Sequence, residues 1–249
     1  MISLKKLIVE GRYDGLVTKL SKTLLQVIKD SFAAKDDPEG FFGGEKIYFK
    51  QGEEVPNIED PAKFDNIYFE EVENTDIPVE FYLELKVQWV EGLNDLFVGG
   101  DAYNNTQRHS NEMPLIEIRF QLDPAEYPNV LSEVAMDLRD TLRHEIEHVT
   151  QSGWNTIDSK YIPSDQAVRK KIEAGALPPV RYFMLPKEVD ANLQGLYLRA
   201  KKTRTPFSKV INDYLDVWVN NNSITPEDKM QILSVWKKRI PQLGIRQEI

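Results

Sequence analysis

Hydrophobic residues recur first at helical spacing, then at strand spacing, then at helical spacing again. From Gly15 to Phe32, the residues Leu16, Leu20, Leu24, Val27 and Ile28 fall mostly three or four apart, which predicts an amphipathic helix. Lys35 to Gly44, with Asp-Asp-Pro-Glu-Gly and a glycine pair, predicts a loop. Short aromatic and β-branched runs at Lys46 to Lys50 and Asn66 to Val72 predict strands. Val79, Phe81, Leu83, Leu85, Val87 and Trp89 alternate with mostly polar neighbours, the strongest strand pattern in the chain. Leu115 to Leu122 predicts a further strand, with Ile116, Ile118, Phe120 and Leu122 on one face.

Beyond Pro128 the spacing is helical. Ser132 to Gln151 starts at a residue suited to an N-cap and carries Ala135, Leu138, Leu142, Ile146 and Val149 on one stripe. Pro186 to Lys201 opens with a first-turn proline and places Val189, Leu193 and Leu196 on one side. Pro206 to Asn220 follows, and Thr225 to Arg239 opens with the capping sequence Thr-Pro-Glu-Asp. The intervening Ser152 to Arg181 is polar, with Pro163, Gly175, Pro178 and Pro179, and predicts a long loop able to gate a cleft. Without a repeat or a flexible linker, the pattern predicts one α+β domain over 1–249. Its strand-rich half covers about 1–128 and its helical half about 129–249.

Composition narrows the function classes. Of 249 residues, 41% are hydrophobic and 29% charged, the balance of a folded globular chain. A net charge of −9 argues against a nucleic-acid partner, since phosphate binding needs a basic surface. No cysteine is present, which excludes disulfides, iron–sulfur clusters and thiolate-held zinc. Charged residues interrupt Met1 to Asp14, so no signal-peptide core is expected there, and no stretch reaches the length of a membrane span. The expectation is a cytoplasmic protein with no membrane partner, an association with a virion staying open.

The chemistry lies in His144-Glu145-Ile146-Glu147-His148. Histidines four apart on a helix stand one turn above each other, so both imidazoles can reach one zinc ion. Glu145, one step round the helix, can sit beside a zinc-bound water without binding the ion and take its proton. The pattern arises by chance in roughly 0.002 of shuffled sequences of this composition, low enough to give the motif weight. On a helical wheel the histidines flank the apolar stripe, while Glu147 points almost opposite, towards solvent.

A catalytic zinc needs a third protein ligand, from a carboxylate or from His109. The leading candidate is Glu188, in the first turn of the Pro186 helix and off its apolar face. Ala191 nearby is small enough for close helix approach, and Asn192 lies one turn below Glu188, within reach of a ligand. Asp190 falls on a different face. Tyr182, Arg181 and Tyr161 are candidate donors to an oxyanion, with Tyr182 carried as the catalytic candidate.

His144-Glu145-x-x-His148 followed by a glutamate in a later helix resembles the gluzincin branch of the zincin metallopeptidases. The order of elements is similar too: an N-terminal helix, a mostly antiparallel twisted sheet, the active helix and a helical half with the third ligand. More loosely, the chain is similar to zincin-like proteins of tailed bacteriophages. The resemblance implies a zincin-like fold and a zinc hydrolase of peptide bonds, with a peptide or protein substrate pairing along Leu115 to Leu122. The family prefers an uncharged residue where Glu147 stands. Gln151 and Trp154 exclude the extended metzincin pattern, which needs glycine and histidine there, and a deformylase-type site would need a cysteine. Two other readings stay open: a zincin-fold structural or binding protein of a larger assembly, and a zinc hydrolase of a non-peptide amide.

Overall fold

The computed structural model describes residues 13–33, 42–50, 80–103, 115–150 and 162–246. The strand expected at Asn66 to Val72, His109 and Tyr161 lie outside the described residues. The architecture is α+β, and the described residues fall into two compact units, Tyr13–Thr150 and a second covering 162–246.

The first unit contains helix α1 (Asp14–Ala33), strands β1 (Phe42–Lys50), β2 (Glu80–Trp89), β3 (Phe97–Tyr103) and β4 (Leu115–Leu122), and helix α2 (Leu131–Thr150). Its four strands run in the order β1-β2-β4-β3, with β1–β2 and β3–β4 antiparallel and β2–β4 parallel. The alternation in the sequence becomes two faces. Phe81, Leu83, Leu85, Val87 and Trp89 of β2 and Ile116, Ile118, Phe120 and Leu122 of β4 are all buried. Ion pairs cross the opposite face: Lys86 with Glu117, and Arg119 with Asp101. Gln121 donates to Gln88 at 2.7 Å beside them. Helix α2 packs on β3, β4 and α1, while α1 also touches β2. The Trp89 indole donates to Ser31 at 3.0 Å, tying the end of β2 to α1.

Two sequence expectations change here, and one strand had not been expected. The loop expected to run to Gly44 gives way to β1 at Phe42. Strand β3 was not legible, because Phe97-Val-Gly-Gly-Asp-Ala-Tyr carries two glycines and alternates poorly. Strand β4 cannot pair with a substrate, since β2 holds one of its edges and β3 the other. Among the described strands, the outer neighbour of β4 is β3.

The second unit contains helices α3 (Ile162–Glu173), α4 (Pro186–Thr203), α5 (Phe207–Asn220) and α6 (Pro226–Arg239), with 3-10 turns at Pro179–Met184 and Ile240–Leu243. The polar segment expected to loop from Ser152 to Arg181 thus holds a helix and the first half of a 3-10 turn within its described part. Among the resolved side chains of α3 only Val168 and Ile172 form an apolar pair, and both stay half-buried, so little periodicity betrayed the helix. Helix α4 is buried at nearly every position from Glu188 to Leu198. Val189, Leu193 and Leu196 join Phe183, Phe207, Ile211, Leu215, Ile232 and Trp236 in one core. Trp236 is fully buried, and its indole donates to the Phe183 carbonyl at 2.9 Å. Thr225 and Asp228 cap α6 reciprocally, as Thr-Pro-Glu-Asp predicts. No helix among the described residues is long and apolar enough to cross a membrane.

Candidate metal centre

Helix α2 puts the motif where its spacing requires. The His144 and His148 rings meet edge to face, with centroids 4.7 Å apart and their Nε2 atoms 3.0 Å apart. Two nitrogens at tetrahedral positions on one zinc, each at about 2.0–2.1 Å, stand about 3.4 Å apart, so one ion fits between these two with little adjustment. Glu145 is 5% exposed, and its Oε1 lies 4.0 Å from His144 Nε2. That is beside the histidine pair rather than between its members, where a proton acceptor for a metal-bound water belongs.

The ceiling over Glu145 is backbone. A Cβ added at Gly100 in β3 would stand 2.8 Å from Glu145 Cγ, 3.1 Å from its Oε1 and 2.6 Å from Thr141 Cγ2. A glycine here is what lets the strand approach helix α2 so closely.

Glu147 does not point into solvent as the helical wheel implied. Its side chain is 18% exposed and accepts from Arg143 Nη1 at 2.8 Å, one turn back. Arg143 is itself 2% exposed, lies 3.9 Å from Asp14 and stands over the Tyr13 ring at 5.4 Å. The face of α2 that meets α1 therefore buries a charge network that an apolar stripe does not reveal. The acidic residue between Ile146 and His148 is a counter-ion for a buried arginine.

Glu188 has no exposed surface at all, although a first-turn glutamate is ordinarily solvated. It pairs with Arg169 of α3, whose guanidinium lies over the Tyr182 ring at 5.4 Å. Asn192 donates to the Glu188 carbonyl at 2.8 Å and accepts from the Tyr214 hydroxyl at 3.1 Å. Asn192 thus braces the backbone of this turn rather than its carboxylate. Asp190 is committed elsewhere, in a two-pronged pair with Arg239 at 2.6 and 2.7 Å. Tyr182 is half-buried in the Pro179–Met184 turn, and Arg181 is exposed.

One group of His, Asp and Glu among the described residues could hold a metal ion: His144, His148 and Glu188. Each offers one ligand atom, and these atoms all lie within 4.8 Å of one another. The donor chemistry, two imidazoles and a carboxylate, suits a divalent transition metal. Sequence reasoning missed Arg169, Arg143 and Gly100. An isolated arginine carries no spacing signal, and only the glycine pair at 99 and 100 hinted at a close approach. Comparison with protein-family models, with curated proteins and with solved structures gives no match, so the functional reading rests on these residues themselves.

Proposed function

We propose that the protein is a zinc-dependent metallopeptidase of gluzincin type, with His144, His148 and Glu188 as ligands and Glu145 as general base. The observation that carries this reading is the grouping of one carboxylate with two imidazole nitrogens, beside a second, buried carboxylate on the same helix as the imidazoles. Zinc is the favoured ion because two histidines and a carboxylate, leaving a position for water, is a recurrent catalytic zinc set. When bound, it supplies a water with a pKa near 7 and polarises the scissile carbonyl. The Glu145 carboxylate would accept a proton from the attacking water and pass it to the departing amine nitrogen. Tyr182 is the candidate donor to the carbonyl oxygen as charge builds there. An extended peptide would run beside β3, one of the two edge strands of the described sheet and the one that approaches Glu145.

The test begins with metal content by mass spectrometry of wild type, His148→Ala and Glu188→Ala. Near-stoichiometric zinc in wild type, lost from both variants, is expected. A peptide library should then be cut by wild type and left intact by Glu145→Gln, which keeps its zinc and loses about 10²–10⁴-fold in rate. Bound zinc with no peptide cut would redirect the reading to a non-peptide amide. A wild type that takes up no zinc would overturn the enzyme reading in favour of a binding or structural role.

A further inference from the structure

We propose that Arg169 is a positioning residue of the metal centre, holding the Glu188 carboxylate in the orientation from which it binds the ion. The proposal rests on the reading of Glu188 as the third ligand. A carboxylate without solvent exposure needs a partner for its charge, and the helix N-terminus alone contributes only a fraction of one. Arg169 supplies that partner from a different helix, α3, through Nη2 on Glu188 Oε1. Its own position is constrained, because the guanidinium rests over the Tyr182 ring just before α4 begins. The Asn192 and Tyr214 bonds hold the main chain of the same turn, so backbone and carboxylate are secured separately.

A carboxylate offers two oxygens and about four lone-pair sites, so a guanidinium on one oxygen leaves capacity for an ion. Partners that hydrogen-bond a ligating carboxylate set its orientation, and losing one costs about 10–100-fold in metal affinity. This gives α3 a function. Its described side chains are largely exposed and its apolar content is small, yet it carries the cation that meets Glu188. The side chain of Arg169 is itself 35% exposed, so the pair sits where the buried carboxylate meets the surface.

The test is zinc affinity by chelator competition for full-length wild type, Arg169→Ala, Arg169→Gln, Arg169→Lys and His148→Ala. Visible spectra of the cobalt-loaded proteins accompany it. Expected are a 10–100-fold loss of affinity in Arg169→Ala, a loss of similar direction in Arg169→Gln, and partial recovery in Arg169→Lys. The cobalt spectrum of Arg169→Ala should shift in band position or intensity from that of wild type, as a reoriented carboxylate ligand requires and a merely structural ion pair would not cause. If Arg169→Ala does not fold, Arg169→Gln, which keeps bulk without charge, decides the outcome. His148-dependent zinc binding in wild type with unchanged affinity in the arginine variants overturns the role of Arg169 alone. Tighter binding in those variants also overturns it, because the guanidinium would then be competing with the ion. A wild type that binds no zinc, or binds it equally well after His148→Ala, overturns the site itself.

Discussion

Glu145 owes its position to an absent side chain. The backbone at Gly100 comes so close that a methyl group there would stand 2.8 Å from its Cγ and 2.6 Å from the methyl of Thr141. Both contacts are shorter than real Cβ atoms make. Thr141 is β-branched and cannot turn away cheaply, so Glu145 or the strand must move. Gly100→Ala should therefore cost about 1–3 kcal/mol of stability and lower kcat while leaving zinc content unchanged. Urea denaturation, metal analysis and steady-state kinetics on the same preparation check all three. An alanine variant with wild-type kcat would show that this close approach does not set the position of the base. None of this was legible from the motif, which points to Glu145 as the proposed base but not to what stands against it. The histidine pair, by contrast, was fully legible, because both residues sit on one helix and helical geometry alone brings their nitrogens together.

Among whole elements, legibility followed how completely a face is buried. Strands β2 and β4 bury every second residue, and their periods gave their positions within a residue or two. Helix α3 and strand β3 escaped notice because neither has a dominant apolar face; Phe97 at the start of β3 is 43% exposed. Helix α2 shows a subtler failure, in which the period was right and the width of the buried face was wrong. Packed on both the sheet and α1, it buries Arg143 outside the apolar stripe, and Glu147 and Asp14 answer that charge. Removing one partner of a buried ion pair leaves the other charge poorly solvated, although Asp14 and Tyr13 remain beside Arg143 to soften the loss. Glu147→Ala is therefore expected to lower stability by about 2 kcal/mol, with zinc affinity changed less than twofold. Chemical denaturation alongside chelator competition measures both. A neutral effect on stability would mean that Asp14 and Tyr13 suffice for Arg143, and that Glu147 stands in the motif for another reason.

At the scale of the whole molecule, the sequence located the candidate ligands but not the reason one of them is buried. Glu188 stands 40 positions after His148, and no local period connects them. A group of these three residues that could hold an ion therefore leaves no signature in the local sequence. An ion held by that group binds the native state and not the unfolded chain, which makes metal occupancy a stability term for the protein. At free zinc a hundredfold above the dissociation constant the gain is about 2.7 kcal/mol. For a chain of this length each kcal/mol moves the melting midpoint by about 2–4 °C, so chelation should lower it by about 5–10 °C. The net charge of −9 gives nonspecific cation binding some influence on the midpoint, so the comparison needs a variant that keeps the surface charge. His148→Ala does so, since it removes none of the acidic side chains, and its midpoint should be the same with zinc as with chelator. A wild-type midpoint equally indifferent to chelator would count against a resident ion. A zinc-dependent shift that survives His148→Ala would place the stabilising cation elsewhere on the acidic surface.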